Sequence, residues 1–447
     1  QEATRGHGSG GIVIGDRTGL CQPGLRRERS HRHLVTAAVV AATFAAVVAV
    51  LTTATRRQSD LTIFVEAVRA WMHGGALYDY LKPGTPYGFT YPPSAALLMT
   101  PMTLVSWRAL VVVQTCLSAV ATVGVLAWML APWARRSGLP LAATTAVGLG
   151  VLAVLVPVQD VLGYGQVNLI LLGLVTADLA WGVAGGRRWA GIGIGVATAI
   201  KLVPGLFVLY LIVTRRYRAA RTACATFAVL TVGTAVVAPS ASVDFWLHQF
   251  WDVTRVGNPA SGYNQSVRGA LLRMGPPLDS ALVWLVACAA VLGIWILGVR
   301  RQPVVDDRVG LALTGVAICL LSPIAWVHHL VWAVPALVVA FCSGRRVLAG
   351  VTVLVFGTHL PSIWLDGSLP VRAGPRNALT WVCLGLLLAV SSRWDRTAGR
   401  GQRSAPQWVP DPRSEERWAT ASSTGTAKRS WSWRTRTDDD ARPVGHR

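Results

Sequence analysis

Acidic residues are scarce in this chain: 21 Asp and Glu stand against 42 Lys and Arg in 447 residues, a formal charge of +21. In a soluble protein that balance points to nucleic acid, but here the basic residues are not gathered into one patch. They form an N-terminal block (Arg26, Arg27, Arg29, Arg32), a tail after Ser392, and pairs such as Arg135–Arg136, Arg187–Arg188, Arg300–Arg301 and Arg345–Arg346 between apolar runs. The distribution follows the positive-inside rule of membrane proteins and argues against a nucleic-acid partner. Also lacking are a Walker loop, a zinc-ligand pattern and a Ser-His-Asp signature. The seven cysteines show no CxxC spacing, and all but Cys21 fall inside apolar runs, where they read as small packing residues. No cleavable signal peptide is expected from the first residues, which begin at Gln1 and not Met, so the start reads as trimmed or misassigned.

What is abundant is apolar sequence. Half the residues are apolar, and runs of Ala, Val and Leu recur from Leu34 to Val390, a repetition that defines an all-α polytopic membrane protein. Residues 1–33 and 392–447 read as disordered basic cytoplasmic ends, and 34–391 as one multi-spanning domain. Alternating the runs by their flanking charges predicts about twelve spans, several of them short. The piece Trp189–Thr214 has basic residues at both ends, so it reads either as one tilted span or as two short helices meeting at Lys201–Pro204. Gly191, Gly193 and Gly195 superficially match a nucleotide fingerprint, but in a membrane segment they fit close helix packing.

The stretch Arg56–Pro93 follows the first span and is too polar to cross a bilayer. From Asp60 it predicts an amphipathic helix with Ile63, Phe64, Ala67, Val68 and Trp71 on one side and Glu66 and Arg69 on the other. A Gly-Gly break, Tyr78 and an extended FTYPP follow. Held at a membrane surface, Asp60 is placed for chemistry on a lipid-borne substrate; the plainer alternative is that Ser59 or Asp60 only caps the helix.

With this topology Asp60, Tyr91, Gln166, Asn168, Lys201, Asn264, Gln265, Arg268, His328 and His329 all fall on one face of the membrane. Each has a bland explanation as a snorkelling, interhelical or interfacial residue, yet an ionised Lys or Asp at mid-bilayer costs about 2.5–3.5 kcal/mol. Together on one side they point to a shared cavity. Adjacent histidines on a helix point about 100° apart, so His328 and His329 do not chelate one metal together. Phe245, Trp246, Phe250 and Trp251 suit the membrane interface. Asn264-Gln265-Ser266 fits a glycosylation sequon only formally.

Five separated motifs, GGALYDY…FTYPPSAALLMTP after Asp60, YGQVNLILL, IKLVPGLF, GYNQSVRGAL and SPIAWVHHLVW, resemble glycosyltransferase family 87, the polyprenol-phosphate-mannose-dependent mannosyltransferases of actinobacteria. The resemblance runs from about Asp60 to Val339. It implies a GT-C type fold with extracytoplasmic loops bearing short interfacial helices. It also implies a polyprenol-phosphate-mannose donor, a lipid-anchored glycan acceptor such as a phosphatidylinositol mannoside or lipomannan, and reaction on the outer face of the plasma membrane. By that resemblance Asp60 is the general base, and His328 or His329 is the motif histidine.

Chemistry gives the other residues roles. A sugar hydroxyl needs a base within hydrogen-bond reach, and an anionic lipid phosphate leaving group needs cations. Lys201 and Arg268 are candidates for the donor phosphate, and Tyr91, Gln166, Asn168, Asn264 and Gln265 for sugar hydroxyls. No cofactor and no metal are expected, since no DxD-like motif stands in the external loops, and the family implies a single inverting displacement. Two other classes stay open: a transporter or lipid-linked sugar flippase, for which a broken span carrying charge is also expected, and a non-catalytic assembly protein.

Overall fold

The computed structural model describes residues 23–56, 58–302, 305–358 and 374–392, and among them there is helix but no strand. The expectations for residues 1–22, for the 359–373 part of the last external loop and for the tail from 393 lie outside these residues. The first helix, α1 (Pro23–Thr55), begins inside the Arg-rich segment that composition reads as disordered.

Two polar-side elements follow. Helix α2 (Ser59–Met72) buries Ile63, Phe64, Ala67 and Val68 as the amphipathic pattern requires, with Glu66 and Arg69 paired on its other face. Helix α3 (Pro93–Met99) starts with a proline in its first turn, where the missing N–H costs nothing.

The long helix α4 (Trp107–Ser137) ends on Gly138 in the left-handed conformation. Next, α5 (Leu141–Ala153) and α6 (Val156–Tyr164) are bent by 79° to each other. Pro157 in the first turn of α6 cannot continue the hydrogen-bond ladder of α5, which accounts for the break. Asp160 lies in α6, and only Gly165–Val167 separates that helix from α7 (Asn168–Ala177). Arg56, on the basic exit of α1, is ion-paired with Asp160. A positive charge beside the Asp60 segment is thus locally neutralised.

A π-helical turn, Asp178–Val183, extends α7, and the buried Asp178 carboxylate accepts from the backbone N–H groups of Gly191 and Ile194 at the start of α8 (Ile192–Ile200). Helix α8 stops at Lys201, whose backbone is extended (φ −148°, ψ 125°), and a short 3-10 turn at Val203–Gly205 leads into α9 (Leu206–Val213). The break falls where the charge pattern put it.

The remaining helices are α10 (Tyr217–Val237), α11 (Pro239–Asp244), α12 (Val267–Met274), α13 (Ala281–Arg300), α14 (Asp307–Leu321), α15 (Val334–Cys342), α16 (Arg346–Gly357) and α17 (Ala378–Ser391). Among the described residues only four are long and apolar enough to cross a bilayer, or five if the bent pair is one span. The expected count of about twelve is not reached. Helix α14 shows why: its 15 residues reach only about 22 Å, short of a hydrocarbon core of about 30 Å, and nearly all of them are buried by other helices. It packs against α13, α15, α17 and the 3-10 turn Val327–Ala333.

Candidate functional site

The start of α2, the α6–α7 turn, the extended chain before α3, the end of α8 and the 3-10 turn at Val327–Ala333 converge. Gly165 makes the first approach possible. At φ 70° it is in the left-handed region, and a Cβ there would lie 2.5 Å from Leu61 Cβ and 2.7 Å from Gln58 Oε1. Gln58, itself left-handed (φ 46°), latches α2 to that turn: its backbone N–H donates to the Gly163 carbonyl and its side-chain amide to the Leu162 carbonyl at 2.8 Å.

This packing puts Asp60 at the head of a hydrogen-bonded chain. Its Oδ2 accepts from Gln166 Nε2 at 2.5 Å and its Oδ1 from Ser59 Oγ at 2.8 Å. Gln166 Oε1 accepts from the Tyr91 hydroxyl at 2.8 Å and, more weakly, from Asn168 Nδ2 at 3.4 Å. Lys201 Nζ donates to Tyr91 Oη and Asn168 Oδ1, both at 3.1 Å, and lies 3.0 Å from His329 Nε2. The Lys201 ammonium also sits 4.9 Å from the centroid of the Tyr91 ring.

The directions of these bonds are self-consistent. The His329 ring also bonds the backbone of Ile324, which suits its second nitrogen carrying the proton and leaves Nε2 to accept from Lys201. All three N–H donors of Lys201 are then matched. Burial, reinforced by the negative charge of Asp60, raises the Tyr91 phenol above its ordinary value, so Tyr91 stays a neutral donor to Gln166.

Asp60 is not a helix cap. Gln58 occupies the N-cap position and no side chain makes a capping bond at this helix start. Gln166, Asn168 and Lys201 are buried, whereas Asp60 is only half-buried.

The structure separates the two histidines. His329 joins Lys201; His328 packs edge-on between Tyr164, 5.9 Å away, and His329, with a buried Nε2 that has no hydrogen-bond partner among the described residues. The other three candidates stand apart from this chain. Asn264 donates to the carbonyls of Pro259 and Pro323 and accepts from the N–H of Ala325, and it pairs antiparallel with Trp326. Gln265 donates to the Gly262 and Arg376 carbonyls and accepts from Thr380. The Asn264 amide holds the segment that leads to His329, whereas the Gln265 amide ties its own loop to Arg376 and Thr380, and only its backbone N–H reaches that segment, donating to the Ala325 carbonyl. Arg268 donates to the Asp279 carbonyl and covers the Trp284 ring at 5.2 Å.

Further residues contribute beside the ten candidates. Gln114, buried in α4, donates to the Gln166 carbonyl at 2.8 Å and fixes the turn from the membrane side; a lone Gln within an apolar run was the available signal. Ser94 donates to the Ala199 carbonyl at 2.6 Å and ties the Tyr91 strand to the end of α8. Tyr78 donates to the Tyr91 carbonyl at 2.9 Å, and burial raises its phenol above the usual range. Nothing in the local sequence announces these last two. Among the described residues no group of three or more His, Cys, Asp or Glu is placed to hold a metal ion.

Apolar helices of membrane length, together with a half-buried carboxylate linked by hydrogen bonds to a buried lysine, have the makeup of a membrane-embedded group-transfer enzyme, and comparison with known proteins makes it a glycosyltransferase. The chain belongs to glycosyltransferase family 87, whose model matches residues 89–323. That match includes Tyr91, Gln166, Asn168 and Lys201, and stops short of Asp60 on one side and of His328 and His329 on the other.

The chain is 33% identical over 312 residues to a polyprenol-phosphate-mannose-dependent alpha-(1-2)-phosphatidylinositol mannoside mannosyltransferase of Mycobacterium tuberculosis, covering 64% of this chain and 71% of that protein. It is 30% identical over 355 residues to the protein of the same name from Mycolicibacterium smegmatis, covering 72% and 78%. It is 29% identical over 309 residues to a polyprenol-phosphate-mannose-dependent alpha-(1-2)-phosphatidylinositol pentamannoside mannosyltransferase of Mycobacterium tuberculosis, covering 67% and 69%. No solved structure matches the chain.

Proposed function

We propose that this glycosyltransferase moves mannose from polyprenol-phosphate-mannose to a phosphatidylinositol mannoside or a related lipid-anchored glycan, on the outer face of the plasma membrane. The donor and acceptor follow the names of its relatives. The observation that carries the site is the hydrogen-bonded chain from Asp60 through Gln166 and Tyr91 to Lys201 and His329.

In the proposed reaction Asp60 takes the proton of the acceptor hydroxyl, and that oxygen attacks the anomeric carbon of mannose from the side opposite the lipid phosphate. The bond from the anomeric carbon to the phosphate oxygen breaks, its electron pair stays on that oxygen, and the configuration inverts. Gln166 orients the Asp60 carboxylate by donating to Oδ2 and leaves lone pairs free for the acceptor. Lys201 turns its N–H groups from its neutral partners towards the phosphate as charge builds there, and His329 holds it in place. Asn168 and Tyr91 set the position of Lys201.

The test is mannosyl transfer in membranes, with labelled polyprenol-phosphate-mannose and a phosphatidylinositol mannoside acceptor. Asp60→Asn keeps the shape but cannot take the proton, so at matched protein level transfer should fall by about 100-fold or more. Transfer near that of the unaltered protein would remove Asp60 from the role of base.

A further inference from the structure

One surface of the molecule leads from lipid directly to the site. Helix α10 qualifies as a span, and its Val229, Val232 and Val236 are 61–78% exposed at i, i+3, i+7 spacing, a face made for lipid. Past Ala238, where the backbone leaves the helix, the chain continues as α11 and a π-helical turn at Phe245–Gln249. The apolar face continues with it: Val243, Leu247, Phe250 and Trp251 are all exposed, Leu247 at 65% and Trp251 at 72%. The one polar donor on this face is already matched, since the Trp251 indole N–H donates to the Trp246 carbonyl at 3.0 Å.

The neighbouring edge of the segment is polar. Asp244 accepts from Gln249, His248 lies beside it, and Asp252 bonds Thr254. An apolar face of aliphatic and aromatic side chains with a charged edge is the pattern of a helix lying in the headgroup layer.

The buried side of the same segment reaches the site. Phe245 is 3% exposed and stacks on the Tyr78 ring with centroids 5.8 Å apart and planes 27° apart. Tyr78 in turn donates to the carbonyl of Tyr91, the residue that joins Gln166 to Lys201. Arg255 closes the arrangement by donating to the Tyr78 carbonyl and to Gln249 Oε1.

We propose that the segment Pro239–Trp251 lies in the headgroup layer of the bilayer as a continuation of the lipid-facing side of α10, and that its seating there positions Tyr91 through Phe245 and Tyr78. The positioning part rests on the transferase reading; the lipid contact does not. The occupant of the face is the bilayer itself, because the face is continuous with that of a membrane span.

The experiment compares single cysteines at Leu247 and His248, adjacent residues on the apolar face and the polar edge, in opened membrane fragments where both sides are reachable. Reaction with a membrane-impermeant maleimide is measured against the unaltered protein as background. The Cys of Leu247→Cys should react at least tenfold more slowly than that of His248→Cys, and unfolding in detergent should equalise them. Equal rates in the intact membrane would overturn the lipid contact.

A second arm measures transfer for Leu247→Asp and Leu247→Phe at matched membrane levels. The charged variant should lose tenfold or more and the aromatic one should keep the activity of the unaltered protein. Full transfer by Leu247→Asp would overturn the positioning while leaving the labelling result to stand. No transfer by the unaltered protein would count against the substrate assignment, and the maleimide comparison would still decide the lipid contact.

Discussion

The approach of α2 to the α6–α7 turn depends on Gly165, and a paired substitution measures how much. Gly138 and Gly165 share the same backbone state, φ 64° and 70°. A Cβ at Gly138 meets nothing within 4 Å, whereas at Gly165 it meets Leu61 Cβ at 2.5 Å and Gln58 Oε1 at 2.7 Å. Gly138→Ala therefore costs only the left-handed penalty, about 1–2 kcal/mol. Gly165→Ala adds the overpacking, about 1–3 kcal/mol more, and relief requires α2 to move away from the turn. Asp60 moves with it and loses Gln166. Transfer and thermal unfolding should be measured for both variants in the same membranes and detergent. Gly138→Ala should keep activity near that of the unaltered protein; Gly165→Ala should be the less stable of the two and lose most transfer. Equal activity in the two variants would refute the argument that this contact aims Asp60.

Gln114→Leu leaves the buried Gln166 carbonyl without its side-chain donor, so stability should drop by about 1–3 kcal/mol and transfer with it; unchanged melting and activity would show that the turn holds itself. His329→Phe takes an acceptor from Lys201 and should lower transfer by about tenfold or more, whereas His328→Phe should retain most of it; the reverse order would exchange their roles. Truncation after Ser392 should leave transfer intact, and loss of activity at normal expression would give the basic tail a part in the reaction.

The polar half of the site was legible because polar groups are costly in apolar sequence. Asp60, Gln166, Asn168, Lys201 and a histidine of the SPIAWVHH motif each stand out against their surroundings, and of the two readings of Trp189–Thr214 the structure has the one with two short helices. Asn264 and Gln265 stand out equally in sequence, but the fold consumes their amides on the backbone of 259–262, 323–325 and 376–380. The bonds to Pro259 and Gly262 are local, but those to 323–325 and 376–380 cross more than 50 residues and leave no local mark. The span count is not confirmed among the described residues for a related reason: an apolar run reads the same whether lipid or other helices cover it, and in α14 helices do. The transporter and assembly-protein alternatives were open in the sequence and give way to membership of a glycosyltransferase family.

The company Lys201 keeps bears on the end of the catalytic cycle. Its three partners, Tyr91, Asn168 and His329, satisfy its donors without cancelling its charge. Under the proposed reaction the lipid arrives as a phosphodiester with one negative charge and departs as a monoester carrying about −1.5 to −2. An uncancelled cation holds the more highly charged species harder. On that reading the spent lipid carrier is expected to be held more tightly than the arriving donor, and added polyprenol phosphate should inhibit transfer.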